Sequence, residues 1–283
     1  MSVEPFDTWL QVSGMGLVLV LCWAALWSVP ALLWRRNDIA DVGWGLTFVM
    51  LAMLAGGLVV ALDVGESPRP ALVLALVCLW GFRLALHIGR RTLTHGEEDK
   101  RYAAWRSEWG RTWWWRSILQ VFLLQALIAL IVSQPVLIAT AVSGQSTTLT
   151  WLDAIALVVF VSGFMLEAVA DRQLRRFLVR KQAGTASTRY LTTGVWAWSR
   201  HPNYAGDSIV WIGLGLFGVS TAVANDTLAL IVPALIGPLV MAAFLRWGSG
   251  VPLTERGRAG QPEWDAYVAR TSVFWPRPPR SVA

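Results

Sequence analysis

Charge is scarce in this chain. Only 15% of its 283 residues are charged, against roughly a quarter in an ordinary soluble domain. With 55% hydrophobic residues and a positive mean hydropathy, that shortfall excludes a water-soluble globular class. Cysteine is scarcer still. Cys22 and Cys78 both fall inside apolar runs, so no disulfide framework is expected. The three histidines, His87, His95 and His201, stand far apart with no i, i+4 ligand spacing, and no metal site is expected from them. No Ser or Cys lies in a recognisable nucleophile setting. Internal repeats, low-complexity tracts and linkers able to separate soluble domains are also missing. One helical membrane domain over 1–283 is the economical expectation.

What the chain does have is long apolar runs. A membrane-crossing helix needs about 20 such residues, and seven stretches qualify: roughly 10–34, 41–62, 70–90, 117–140, 151–171, 205–222 and 227–246. The fold class is therefore an all-α integral membrane protein with seven transmembrane helices. The first run is too long for a signal-peptide core and is expected to stay as an anchor. Basic residues sort into alternate connections: Arg90 to Arg116, Arg172 to Arg200, and the tail from Arg246 to Arg280. Residues 141–150 hold no charge. The positive-inside rule then puts the amino end outside and the carboxyl end in the cytoplasm, which seven crossings allow. The net charge of +6 is a topology signal and a possible grip for phosphates; nothing suggests a nucleic-acid surface. Trp113, Trp114 and Trp115 suit an interfacial belt.

Ionisable groups inside spans cost roughly 2.5–3.5 kcal/mol each on the lenient insertion scale, so each asks for a partner or a purpose. They gather toward one face. Asp38 and Asp41 open the second span, Arg83 and His87 lie in the cytoplasmic half of the third, Glu167 and Asp171 close the fifth, and Asp207 opens the sixth. Glu167, Asp171 and Arg175 recur every four residues, which stacks two carboxylates and a guanidinium on one helix stripe. Simple pairing of these acids with Arg83 and the loop arginines is the structural alternative. "HGEEDKRYAAWR" (95–106) mixes both signs and reads as a solvated surface. "GLGLFG" (213–218) matches a dinucleotide fingerprint by letter, yet it sits within a span and reads as small residues letting helices approach.

The densest polar cluster is "SRHPNYAGD" (199–207). Pro202 suits a first helical turn, leaving Asn203 and Asp207 one above the other and free amide donors at the helix start. With Arg200 beside it, such a start could hold a phosphate or carboxylate, while Asn203 and Asp207 could read an amide or ribose hydroxyls. A capped helix with an aromatic anchor is the plainer possibility. After the last span, residues 249–279 are too polar to cross a bilayer and too few for a core of their own. They could fold back as a lid with Glu255, Tyr267 and Arg270 aimed inward; for Arg270 a surface helix position is equally open.

"EAVADRQLRRF", "GVWAWSRHPNYAGD", "SGVPLTE", "YVARTSVFWP", "DVGW" and "HGEEDKRY" together resemble the bacterial DUF1295 branch of the steroid 5-alpha reductase family, over nearly the whole chain. "RHPNYAGD" is also similar to a stretch of sterol reductases, and "RHP" followed by Tyr occurs in isoprenylcysteine carboxyl methyltransferases. The resemblance implies a seven-helix fold, a cytoplasmic nucleotide cavity, NADPH as cofactor and an opening toward lipid. It maps the cofactor onto Asp171, Arg175, Asn203 and Asp207, then Glu255 and Tyr267; Glu167, Arg200, His201 and Tyr204 complete the candidate set. Steroid reductases pair a Gln-Glu in the second helix with a Tyr in the third. This chain departs there, with Asp41 in the second helix and Trp80 in the third, so His87 or Tyr102 is the candidate proton donor beside Asp41.

The expectation is an NADPH-dependent reductase of a carbon–carbon double bond in a lipid that enters from the bilayer of a bacterial inner membrane. An S-adenosylmethionine-dependent methyltransferase, or a lipid-binding helper without turnover, are the alternatives.

Overall fold

The computed structural model describes residues 4–61, 67–94, 97–142 and 148–280. His95, Gly65 and Glu66 of "GESPRP", and residues 144–147 of the expected outer loop lie outside the described residues. Among the described residues all regular structure is helical. The helices are α1 (Pro5–Trp34), α2 (Ile39–Ala61), α3 (Pro68–Thr94), α4 (Lys100–Trp109), α5 (Trp113–Arg116), α6 (Leu124–Val132), α7 (Gln134–Ala141), α8 (Trp151–Gln182), α9 (Pro202–Ala224), α10 (Ile231–Ala243), α11 (Val251–Glu255) and α12 (Pro262–Arg270).

Seven helical stretches among the described residues are long and apolar enough to cross a membrane: Pro5–Trp34, Ile39–Leu58, Pro68–Thr92, Lys100–Val132, Trp151–Gln182, Pro202–Ala224 and Leu228–Glu255. The fourth is composite, since a π-helical stretch, Ser117–Leu123, joins α5 to α6. The fifth outruns its apolar core by a full 11 residues past Asp171. Nothing in "RQLRRFLVRK" breaks a helix. It ends only where Gly184 adopts φ +70° and the Thr185 N–H bonds the Arg180 carbonyl at 2.9 Å. Pro202 opens α9, as its missing N–H allows.

Backbone packing divides the chain into two compact units: Met1–Ala154 with Leu214–Gly237, and Ile155–Gly213 with Pro238–Ala283. In the first, Val20, Leu51, Ala55, Leu137 and Phe122 form a buried core. The α2–α3 seam there is set by Gly45 and Gly81, since a Cβ on Gly45 would meet the Gly81 carbonyl at 2.7 Å. At the start of α8 the Arg69 guanidinium forks onto Asp153 with two 2.8 Å bonds, both side chains fully buried.

In the second unit, glycines again decide how close two helices come. A Cβ on Gly163 would meet Val210 N, one on Gly206 would meet Glu167 N, and one on Gly213 would meet Phe160 N, each at 2.6 Å. Gly213 opens the "GLGLFG" run, so that run serves close helix packing.

Replacing Gly206 by Ala is expected to cost about 1–3 kcal/mol through forced separation of the α8–α9 backbones. Gly14→Ala, where nothing lies within 4 Å, should be neutral or slightly stabilising. Thermal unfolding of detergent-purified protein measures both.

Candidate functional site

Two polar constellations emerge, one in each unit. In the second unit the chain after α8 makes a short 3-10 turn, Gly194–Ala197, before the "SRHPNYAGD" segment. Gly194 has φ +65°, and the Gln173 side chain occupies the space a Cβ would need. Gln173 Oε1 accepts from Val195 N at 3.1 Å, and Trp196 Nε1 donates to the Ala170 carbonyl at 3.1 Å. The loop is thereby fastened to α8.

The tail is fastened to the same loop. Tyr267 Oη donates to the Trp196 carbonyl at 2.5 Å, Arg200 N donates to the Ser272 carbonyl at 2.8 Å, and Ser199 Oγ donates to the Phe274 carbonyl at 2.5 Å. Glu255 is the centre of this closure. It accepts from Arg200 Nε at 2.8 Å and Nη2 at 3.2 Å, and shares a 2.9 Å bond with His201 Nε2. Arg200 Nη1 reaches the Thr271 carbonyl at 2.9 Å, so most of its donor fork is already used. Tyr204 stacks on the His201 ring at 5.3 Å. Burial holds the His201 imidazole below its ordinary 6.5, against the opposing pull of the Glu255 bond. Burial likewise lifts the Tyr267 phenol above its usual range. Glu255 and Tyr267 do turn inward, whereas Arg270 is exposed on α12.

Beside this closure lies an acidic stripe. Glu167 and Asp171 on α8 and Asp207 on α9 are 3%, 6% and 7% exposed. Asn203 Nδ2 donates to Asp171 Oδ1 at 3.3 Å, while Asn203 Oδ1 is buried without a hydrogen-bond partner among the described residues. A buried amide oxygen left in that state marks a position where a donor is missing. Arg175 stands exposed on α8 with no ion-pair partner among the described residues.

The first unit holds the other constellation. Tyr102 Oη donates to Asp41 Oδ1 at 2.6 Å, Arg101 Nη2 donates to Asp41 Oδ2 at 2.9 Å, and Gln125 Nε2 donates to Tyr102 Oη at 3.3 Å. The expected solvated loop is thus different in the structure: from Lys100 it is helix, and Tyr102 is 3% exposed. Asp99 causes the change, capping α4 by accepting from Arg101 N at 3.0 Å and taking the Arg101 guanidinium as well. Burial alone would raise the Asp99 carboxyl, yet these Arg101 bonds hold it below the usual range. Glu98 goes the other way, because burial outweighs the Asn37 N–H and the Arg106 ion pair. His87 is half-buried on α3, one helical turn after Arg83. Trp80 is fully buried, its ring edge-on to Phe48 at 5.4 Å.

The family described as "Protein of unknown function (DUF1295)" matches residues 26–271. The chain belongs to the DUF1295 family. An uncharacterized protein of Schizosaccharomyces pombe is similar, 27% identical over an alignment 226 residues long that covers 72% of this chain and 62% of the relative, so the chain spans under two thirds of that protein's length. No solved structure matches the chain. The DUF1295 match takes in both constellations, from Asp41 through Tyr267.

Sequence reasoning had no place for Gln125, Arg101 and Asp99. Gln125 carried a usable signal, as a polar side chain within the apolar run 118–132. Partners of Asp41 that lie about sixty positions away carry none.

Glu255→Ala should cost about 2–3 kcal/mol, less than a fully buried pair because Glu255 is about one fifth exposed, and should open residues 256–280 to protease. For His201 the sign is set by its depressed value. Below the ordinary 6.5 the unfolded chain takes up a proton that the folded chain refuses, so stability falls as pH drops through that range and is level above it. His201→Gln should flatten that slope in melts taken between about pH 5 and 8.

Proposed function

We propose that this DUF1295 protein is a membrane-embedded reductase that uses NADPH to reduce a carbon–carbon double bond in a lipid. The observation that carries this reading is the α8–α9 stripe, where Asn203 Oδ1 is buried and unbonded among the described residues beside Asp171. A half-satisfied amide flanked by carboxylates is the donor and acceptor set that a carboxamide or ribose hydroxyls would complete. NADPH fits these residues: Asn203, Asp171, Asp207 and Glu167 would hold its polar, uncharged groups, and Arg175 would meet a phosphate. Arg200 and His201, tied to Glu255, would act by fixing the start of α9 and the tail, and Tyr204 by stacking on His201. Bound there, NADPH would supply the hydride.

Acid–base work falls to Asp41 and Tyr102 in this reading. The Tyr102 hydroxyl holds a proton directed at Asp41 Oδ1 and is itself braced by Gln125. Handing that proton to a substrate leaves charge that Arg101 and Gln125 can stabilise. A plasma-membrane location with the cofactor residues in the cytoplasm belongs to the same reading, supported by the basic residues clustered around α8 and the tail.

One observation favours a second reading. Three buried carboxylates in a single stripe would also suit a sulfonium cation, as a methyltransferase using S-adenosylmethionine would need. Calorimetric titration of purified protein with NADPH and with S-adenosylmethionine separates the two. The reductase reading expects NADPH to bind, Asn203→Ala and Asp207→Ala each to weaken it roughly tenfold, a loss typical of one hydrogen bond to a buried polar group, and both variants to remain extractable and folded. Tyr102→Phe should bind normally and lose turnover by about 10²-fold or more in lipid-dependent oxidation of the reduced nicotinamide. Binding of S-adenosylmethionine alone would reverse the assignment.

A further inference from the structure

A basic groove in the first unit lies outside everything assigned so far. α1 ends at Trp34, and the chain turns through Arg35 in the left-handed region, φ 54°. Leu33 and Trp34 at this end are 76% and 68% exposed, the profile of a span leaving hydrocarbon at headgroup level. Beside this corner an open groove of about 670 Å³ is lined by Arg35, Arg106, Ser107, Arg111 and Trp113. A second depression of about 470 Å³ shares Arg35 and Arg106 and adds Trp34, Arg36 and the carboxylate of Glu98.

The charges of these arginines are unequally matched. Arg36 is bonded to Asp38 and Arg106 to Glu98. Arg35 and Arg111 have no acidic partner among the described residues. Arg35 instead lies over the Trp113 ring at 5.6 Å, which holds a guanidinium in place without neutralising it. Two unneutralised guanidinium forks across one open groove, with the Ser107 hydroxyl as a further donor, match the oxygens of a phosphate ester.

We propose that this groove binds the phosphate of an anionic phospholipid headgroup from the surrounding leaflet. The exposed Trp34 and the adjoining Trp113, Trp114 and Trp115 mark the depth at which such a headgroup lies. Basic side chains directly at a span end draw anionic lipid from the membrane. The proposal is independent of the reductase reading, which uses none of these residues.

The full chain, reconstituted with equal phosphatidylglycerol and phosphatidylcholine and then released in mild detergent, reports the lipids it retains by native mass spectrometry. Wild type should keep phosphatidylglycerol in preference to phosphatidylcholine. The double variant Arg35→Ala, Arg111→Ala should lose that retention by roughly tenfold or more, each arginine near a charged surface being worth about a fivefold factor. Its melting midpoint in phosphatidylcholine alone should equal that of wild type. Arg180→Ala with Lys181→Ala, outside the groove, should retain lipid normally. If the alanine pair does not fold, Arg35→Gln with Arg111→Gln reads the same loss. Absence of a phosphatidylglycerol preference, or equal retention by the double variant, overturns the proposal. Displacement of the lipid by an equal concentration of glycerol phosphate would assign the groove to a free phosphate and overturn the lipid source.

Discussion

A carboxylate taken into a helix that crosses hydrocarbon is tolerated only when donors are brought to it, and this requirement organises the polar half of the molecule. Glu255, at the end of its span, gathers both ring and guanidinium donors from the segment just before α9. Asp41, near the start of α2, gathers a phenol and a guanidinium from α4. Asp153, opening α8, gathers the fully buried Arg69 fork and the Thr150 N–H. The loops and tail lie where they do largely because these acids must be answered.

Full satisfaction and partial satisfaction then mean different things. The Glu255 closure is complete enough to be read as architecture: it binds tail, loop and helix start into one piece and uses up Arg200. The stripe of Glu167, Asp171, Asn203 and Asp207 is different, since one amide oxygen in it is buried with its bonding capacity unspent among the described residues. Glycine gives that stripe its rigidity, as Gly163 and Gly206 let the α8 and α9 backbones touch. Side chains presented from two helices in direct backbone contact have little room to drift, which is what recognition of a cofactor needs.

Hydropathy alone locates the seven spans to within a few residues at most ends, because a membrane helix writes its length directly into the chain. The run of charged residues after Asp171 hides the true end of α8: propensity keeps the helix going long after hydropathy stops. Within the site, Pro202 and the four-residue spacings fix the register of Asn203, Asp207, Glu167 and Asp171, since both are local rules. Glu255, Tyr267 and Tyr102 could be named but not joined to their partners. The bonds of Glu255 and Tyr267 span 54 to 71 positions and that of Tyr102 to Asp41 spans 61, and no local pattern encodes which loop folds back on which helix. The mixed charge of "HGEEDKRYAAWR" concealed that Asp99 starts a helix and that Tyr102 is carried inward with it.

The proposal turns on the unspent Asn203 amide oxygen in the α8–α9 stripe being the point where a ligand group bonds. A structure of the purified protein in complex with NADPH tests it most directly. The reading predicts nucleotide density with a donor on Asn203 Oδ1 and a phosphate near Arg175. Density elsewhere, or an Asn203 bonded only to its protein neighbours at saturating NADPH, would contradict it.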